Sequence, residues 1–185
     1  MRLLGRTMKI CCVTFNTYLC ALALLALCGC KTDQRTEKNP KKQLTAIRFH
    51  CETSPGSGNT VLEVPVWRAR PVTVTVERDS FVTEANVLAA TVVESGGGFS
   101  IQVKLDRQGS WLLEKYTATN RGRKIAVFSN FGEERWLAAP VIVKAISNGQ
   151  LTFTPDATRE ETERIVRGLN NMRRKIDSKN WFPAE

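Results

Sequence analysis

Residues 87–105, VLAATVVESGGGFSIQVKL, place a glycine-rich turn between two apolar segments. In the second segment, Phe99, Ile101, Val103 and Leu105 alternate with polar residues, which is the period of a half-buried strand. Two such segments joined by a short turn predict a β-hairpin. No lysine followed by serine or threonine comes after the glycines, so they do not indicate a phosphate-binding loop. The hairpin therefore predicts a sheet as the base of the fold.

A helix is predicted soon after this hairpin. Residues 110–119 have a helical composition, with Leu112 and Tyr116 one turn apart. Asp106 and Ser110 are both suited to cap its N-terminus. Because the segment has only one apolar side, we expect it to lie on a face of the sheet.

A second helix is predicted near the C-terminal end, over residues 158–175. Thr158 and Glu161 have the spacing of a capping box, although Thr154-Pro155 allows an earlier start. The apolar residues of this segment fall on one side: Ile165, Val166, Leu169, Met172 and Ile176. The other side is basic, which suits either solvent or an anionic partner: Arg164, Arg167, Arg173, Arg174 and Lys175.

Six further segments predict strands: 44–51, 60–67, 71–77, 123–128, 141–146 and 150–153. Pro65 places the second of these at an edge or a bulge. Asn148-Gly149 predicts a hairpin between the last two. The sequence thus predicts an α+β fold with a single domain over residues 44–185, in which one mixed, mostly antiparallel sheet carries two helices on one face.

The first thirty residues predict export. Three basic residues precede the uncharged stretch 10–27, which is the order of a bacterial signal peptide. Gly29 before Cys30 resembles the lipobox of bacterial lipoproteins, whose cysteine becomes the first residue and carries a diacylglycerol. We expect a signal segment over 1–29 and a lipidated Cys30 that anchors the protein in the inner or the outer membrane, facing the periplasm. A plain signal peptide and an uncleaved transmembrane helix are the alternatives.

The charge distribution argues against a nucleic-acid partner. The formal net charge of +9 falls to +3 in residues 44–185, because the signal segment and residues 31–43 each contribute +3. Basic and acidic residues are thus nearly balanced in residues 44–185, which does not predict a surface that binds nucleic acid. Residues 30–43 are polar and basic, and they predict a flexible tether that is attracted to anionic lipid head groups.

The inventory of reactive side chains argues against an enzyme. Once the signal segment is removed and Cys30 is lipidated, Cys51 is the only thiol, so no internal disulfide forms. Strand alternation places Cys51 on the apolar side, where we expect it to be buried and unreactive. His50, the only histidine, points to the opposite side, so the pair cannot bind a metal or act together as a nucleophile. We expect no catalysis, no metal and no cofactor.

Three stretches between residues 86 and 171 carry a resemblance: VKLDRQGSWLLEKYTATNRGRKIAVF, LAAPVIVKAISNGQL and EETERIVRGLN. They resemble the head subdomain of the first periplasmic region of SecD, the accessory subunit of the protein-export translocon. That family has small or turn-forming residues at the positions of Gly109, Thr117, Asn120, Gly122, Ala126, Ala139, Pro140, Ile146 and Gly149. Such residues mark a fold and not a chemistry.

The resemblance implies an envelope protein whose head domain binds exported polypeptide or components of the Sec translocon. The alternative is a structural or interaction lipoprotein of the envelope without an export role. Two features depart from the family: residues 130–136 form a longer, more charged loop, and Phe153-Thr154-Pro155 replaces a glycine before the last helix. The family's chain also continues into membrane helices that carry proton-coupled work, and we expect this head to act without them.

The candidate polypeptide-binding site is the charged loop over residues 130–136. Phe131 and Trp136 are predicted to be partly exposed aromatic contacts, and Glu133, Glu134 and Arg135 to supply polar contacts. The alternative is that Trp136 packs under the sheet.

Overall fold

The computed structural model describes residues 40–56 and 60–180, which form one α+β unit. The predicted signal segment, Cys30 and the predicted tether as far as residue 39 lie outside these residues. The α+β class is confirmed by eight strands and two α-helices in the described part of the chain. They are β1 (Ala46–Glu52), β2 (Val61–Val66), β3 (Val72–Val82), β4 (Val87–Ser95), β5 (Gly98–Leu105), α1 (Arg107–Thr119), β6 (Ile125–Asn130), β7 (Glu134–Ala138), β8 (Gln150–Phe153) and α2 (Arg159–Asn180).

The strands form two antiparallel sheets where the sequence predicted one mixed sheet. Five strands run in the order β2-β3-β1-β6-β7, and three in the order β4-β5-β8. A 3₁₀ turn, Glu84–Asn86, separates β3 from β4 and passes the chain from one sheet to the other. The backbone N–H of Thr83 donates to the side-chain oxygen of Asn86 at 3.2 Å, which stabilises this turn. As expected from Pro65, β2 is an edge strand.

The main core lies between the sheets and the helices. It includes Ile101 of β5, Leu113 of α1, and Ile165 and Leu169 of α2, all almost fully buried. Both helices therefore pack into the same core, as predicted. On β6, the residue Ala126 belongs to a smaller cluster on the other side of the five-stranded sheet, because successive side chains alternate across a strand.

Strand β1 has the alternation that the sequence predicted. Ile47, Phe49 and Cys51 are buried, and Arg48 is exposed. His50 is also buried, but its ring packs against Trp136 at a centroid distance of 5.0 Å, in contact with the smaller cluster. Since β1 pairs with β3 along one edge and with β6 along the other, it is the central strand of the five-stranded sheet.

The start of α1 fits closely against the turn between the sheets. Of the two predicted caps, Asp106 is the N-cap, and its carboxylate accepts from the backbone N–H of Gly109 at 2.7 Å. A Cβ on Gly109 would lie 2.9 Å from Cβ of Asn86, so only glycine fits without displacement. At the other end, Gly122 adopts a φ of 84° and turns the chain into β6.

The predicted hairpin at Asn148-Gly149 is wrong. Val141 forms only an isolated bridge with Lys124, and β8 pairs with β5. The physical reason is that the segment before β8 crosses α1, where the hydroxyl of Thr117 accepts from the backbone N–H of Ile146 at 2.9 Å. Near Ile142 its backbone is bonded to the chain that leads into β6, and at Ile146 it is bonded to α1, so it is not paired with β8.

The capping box of α2 is confirmed. The backbone N–H of Thr158 donates to Glu161 at 2.8 Å, and that of Glu161 donates to the Thr158 hydroxyl at 3.2 Å. Further along, the Asn170 side chain bonds both the N–H and the C=O of Ala90 at 2.9 Å, which covers the outer edge of β4. No helix in residues 40–56 and 60–180 is long and apolar enough to span a bilayer.

Candidate functional site

A groove lies where free edges of the two sheets come together. Among the described strands, β7 pairs only with β6, and β8 pairs only with β5. The space beside these edges has a volume of about 580 Å³. It is lined by residues from three distant parts of the chain, including Trp67, Ala138, Pro140, Phe153, Thr154 and Asp156.

The floor of the groove is apolar and its rim carries hydroxyl groups. Ala138, Ala139 and Phe153 are each less than 5% exposed. Thr152 and Thr154 are exposed at the rim. An apolar surface with a few polar groups is the usual lining of a binding site in proteins.

The groove also presents backbone groups. At one end, the N–H of Asp156 donates to the carbonyl of Leu137 at 2.7 Å, which joins the end of β7 to the chain after β8. Beyond this bond, no described strand pairs with the outer edge of β8. The far edge of the same sheet is different, because Asn170 bonds to Ala90 there. An open edge provides N–H and C=O groups with which an extended chain can pair.

Trp67 borders the groove from the turn after β2. Its φ of 68° lies in the left-handed region, which costs a residue other than glycine about 1–3 kcal/mol. Arg68 holds this turn in place, because its backbone N–H donates to Asp156 at 2.7 Å and its Nε lies 3.4 Å from the same carboxylate. The tryptophan is 36% exposed, so part of its surface is free to contact a ligand.

Glu161 links the elements around the groove. Its carboxylate lies 3.5 Å from Nη2 of Arg68 and 3.4 Å from Nη2 of Arg135. Burial acts to raise the pKa of Glu161, but the Thr158 N–H and the nearby Arg135 and Arg68 outweigh it, and the pKa is lowered overall. The ionised carboxylate thus connects the N-terminus of α2 with β7 and with the turn after β2.

The prediction of a long loop over residues 130–136 is wrong in its extent: β6 continues to Asn130 and β7 begins at Glu134, so only residues 131–133 form the turn of this hairpin. We call residues 131–136 the hairpin tip. The prediction that Phe131 is exposed is wrong: it is 5% exposed, and the guanidinium groups of Arg135 and Arg164 each lie 5.1 Å from its ring centroid. Trp136 is half-buried against His50 and Phe128, in agreement with the alternative prediction.

The polar residues of this hairpin have structural contacts. Glu133 is exposed and lies 3.9 Å from Arg135. Glu134 is exposed and accepts from the side chain of Asn130 at 2.9 Å. Arg135 is largely buried and is the only one of the predicted residues that the structure links to the border of the groove, through Glu161.

Cys51 and His50 are both buried, and burial shifts the pKa of each towards its neutral form. Burial, followed by the nearby Glu77, raises the pKa of the Cys51 thiol to about 12, so it is protonated at neutral pH. Burial lowers the pKa of His50, whose Nδ1 donates to the carbonyl of Glu77 at 2.9 Å. In the described part of the chain, no three His, Cys, Asp or Glu side chains are grouped as metal ligands would be.

Sequence reasoning did not identify the residues that line the groove. Trp67 ends a predicted edge strand, and a tryptophan at such a position was the available signal. Phe153 and Pro155 stood out in the sequence only as a departure from a family pattern. Their proximity depends on the order of strands in two sheets, which no local pattern encodes.

Comparisons with known proteins agree with this fold. The family model for the SecDF P1 head subdomain matches residues 59–171. A solved structure described as "Structure and function of a membrane component SecDF that enhances protein export" is 19% identical with a TM-score of 0.50, and the match covers 70% of this chain and 63% of that one. "Crystal structure of SecDF in Super-membrane-facing form" is 17% identical with a TM-score of 0.51, covering 70% and 19%. No significant match was found among curated proteins.

Proposed function

The chain belongs to the SecDF P1 head family, and on that basis we propose that it is a lipid-anchored envelope protein that binds exported polypeptide in an extended conformation. The link to export comes from the relatives, one of which is described as a membrane component that enhances protein export. The proposed binding site is the groove between β7 and β8. The proposal includes no catalysis and no cofactor.

One observation carries the choice of site: the outer edges of β7 and β8 border the same apolar groove, and apart from the bond between Asp156 and Leu137 no described strand pairs with them. Backbone pairing along a strand edge does not depend on the side chains of the guest, so it suits a domain that meets many different sequences. The floor formed by Ala138, Ala139 and Phe153 then favours segments with apolar residues at alternate positions. Trp67 at the border supplies aromatic contact area.

The hairpin tip at Phe131 to Trp136 stays a second predicted contact. Arg135 connects it to the groove through Glu161. Glu133 and Glu134 are exposed there, and their negative charge would favour basic segments of a bound polypeptide.

Site-specific photocrosslinking in living cells tests the proposal. A crosslinking amino acid at Thr152 or Thr154 is expected to form adducts with secreted polypeptides, and one at Glu133 probes the hairpin tip. The same group at Lys104, exposed on the polar side of β5, is the matched control. Equal labelling at all positions would contradict binding in the groove, and adducts confined to Glu133 would move the site to the hairpin tip. Adducts with resident envelope proteins alone would favour the structural lipoprotein without an export role.

The lipid anchor has its own test in Cys30→Ala. We expect this variant to lose lipid-dependent processing and firm attachment to the membrane, because the thioether cannot form. If it is processed to the same size and stays bound as firmly as the parent, the lipid anchor is wrong.

A further inference from the structure

A basic surface surrounds the place where the N-terminal part of the chain enters the domain. The side chain of Asn171, on α2, donates to the carbonyl of Pro40 at 2.9 Å and to that of Gln43 at 3.0 Å. These bonds fix residues 40–43 against the helix. The chain that leads back towards Cys30 therefore departs from this point of the domain.

Cations flank Asn171 on the same side of α2. Arg167 lies four residues before it, and Arg174 and Lys175 lie three and four residues after it, so all three are its neighbours on the helix surface. These three side chains are exposed, and so is Lys42 in the segment that Asn171 holds. We call Lys42, Arg167, Arg174 and Lys175 the basic surface.

The charge of the basic surface is not neutralised by nearby acids. Within residues 40–56 and 60–180, none of its four members forms an ion pair. The neighbouring Arg173 is paired with Asp177 at 2.8 Å, so these two charges cancel. The other acids of α2 lie in its first two turns: Glu160, Glu161 and Glu163. The helix is therefore acidic at the end near the groove and basic at the other.

We propose that the basic surface binds the anionic head groups of phospholipids and holds the domain against the membrane in one orientation. This proposal rests on the lipid anchor of the proposed function. Only residues 31–39 separate Cys30 from Pro40, so the anchor keeps the basic surface within at most about 35 Å of the bilayer. Within a Debye length of about 8 Å, the negative potential of the membrane then attracts the four cations.

The orientation has a consequence for the groove. Glu161, at the border of the groove, precedes Asn171 by ten residues, which is about 15 Å along a helix axis. A domain that rests with the basic end of α2 towards the lipid therefore holds the groove, which lies near the acidic end, further from the bilayer. A polypeptide in the groove would be kept clear of the bilayer.

Fluorescence quenching on vesicles tests this orientation. A fluorophore is attached to Ser178→Cys or to Glu160→Cys in the processed protein, in which the native Cys51 is buried. Both positions are exposed, and five helical turns separate them, so the labels project from the same side of α2 about 27 Å apart. The protein is added to preformed vesicles that carry a quencher in the head-group region. The vesicles contain phosphatidylcholine either alone or with phosphatidylglycerol.

With phosphatidylglycerol, we expect quenching at position 178 to exceed quenching at position 160 several-fold, and with phosphatidylcholine alone we expect no difference. The triple variant Arg167→Gln, Arg174→Gln, Lys175→Gln should lose the difference. The control triple Arg107→Gln, Arg121→Gln, Lys144→Gln removes the same charge from exposed positions elsewhere and should keep it.

Equal quenching at both positions, or a difference that survives the first triple variant, would overturn the proposal. So would a failure of both labels to be quenched on vesicles that contain phosphatidylglycerol. The mass of the processed protein reports the lipid on Cys30 separately. If the protein carries no lipid, the proposed anchor is wrong. The vesicle experiment would still show whether the basic surface binds anionic lipid.

Discussion

Trp67 adopts a backbone conformation that residues other than glycine rarely adopt, and the bonds between Arg68 and Asp156 keep it there. Substitutions of Trp67 can therefore distinguish the effect of the backbone strain on stability from the effect of the indole on binding. Glycine relieves the strain and removes the indole, whereas phenylalanine keeps the strain and retains an aromatic ring.

We expect Trp67→Gly to keep or raise the melting temperature and to weaken the binding of an extended apolar peptide at least about tenfold, or 1.4 kcal/mol. Trp67→Phe should retain most of the affinity. Fluorescence anisotropy of a labelled peptide and thermal unfolding by circular dichroism measure the two effects. If Trp67→Gly binds the peptide with unchanged affinity, the indole does not contribute to the binding site.

Thr117 shows how one hydroxyl joins two parts of the fold. It donates to the carbonyl of Leu113 at 2.7 Å and accepts from the N–H of Ile146. Thr117→Val leaves that N–H without its partner, so we expect a loss of about 1–3 kcal/mol in the free energy of unfolding by urea. Thr119→Val on the exposed side of the same helix is the control and should change it by less than about 0.5 kcal/mol. Equal effects would mean that the bond to Ile146 contributes nothing.

Among the helices and strands, the sequence correctly predicted the features that depend on residues close to one another in the chain. The capping box at Thr158 and the alternation of β1 both involve residues that are neighbours in sequence, and the structure has both. The hairpin at Asn148-Gly149 failed because the preceding segment bonds to Thr117, 29 residues before Ile146. The two-residue turn signal carries no information about a competing partner at that distance.

The N-terminus of α2 allows a test of electrostatics. In Glu161→Gln the amide can still accept from the Thr158 N–H, so mainly the charge is lost. Because the folded pKa of Glu161 is lowered from 4.5, its ionised form stabilises the fold above that pH, and the contribution disappears as the pH falls through the folded value. We therefore expect the parent to be more stable than the variant at pH 7, and the difference to shrink progressively below pH 4.5.

Urea midpoints measured over this pH range check the expectation. Glu160→Gln, an exposed neighbour on the same turn, is the matched control and should show a smaller difference. If the difference in stability between the parent and Glu161→Gln increases as the pH falls, the pKa of Glu161 is raised in the folded state and not lowered.

For the whole molecule, the docking of α2 is the main contact between helix and sheets. Leu169 is 1% exposed in the shared core. Leu169→Asp buries an unpaired charge, which costs several kcal/mol against a total stability of roughly 5–15 kcal/mol, so we expect the domain to unfold. Arg167→Asp places the same charge on the exposed side of the helix and should cost less than about 1 kcal/mol. If Leu169→Asp melts at the parent's temperature, α2 does not dock.

The groove also depends on the arrangement of the whole molecule, and for that reason the sequence did not predict it. Trp67 follows β2, whereas Ala138 and Phe153 end β7 and β8. The three residues meet only because β7 and β8 are both last in their sheets. The aromatic residues of the hairpin tip were a reasonable choice from sequence, but Phe131 is covered by two arginines that lie 4 and 33 positions further along the chain.

Prolines limit the open edges of this domain. Pro140 follows β7 after one residue, Pro155 follows β8 after one residue, and Pro65 lies within the edge strand β2. Proline has no N–H, so a guest strand can pair over only a few residues before the ladder stops. Two copies of the domain are thereby hindered from pairing edge to edge into aggregates. A short ladder also means rapid dissociation, since residence time depends on the number of bonds that must break together. We therefore expect brief, repeated capture of a passing chain, which suits handing it onward more than storing it.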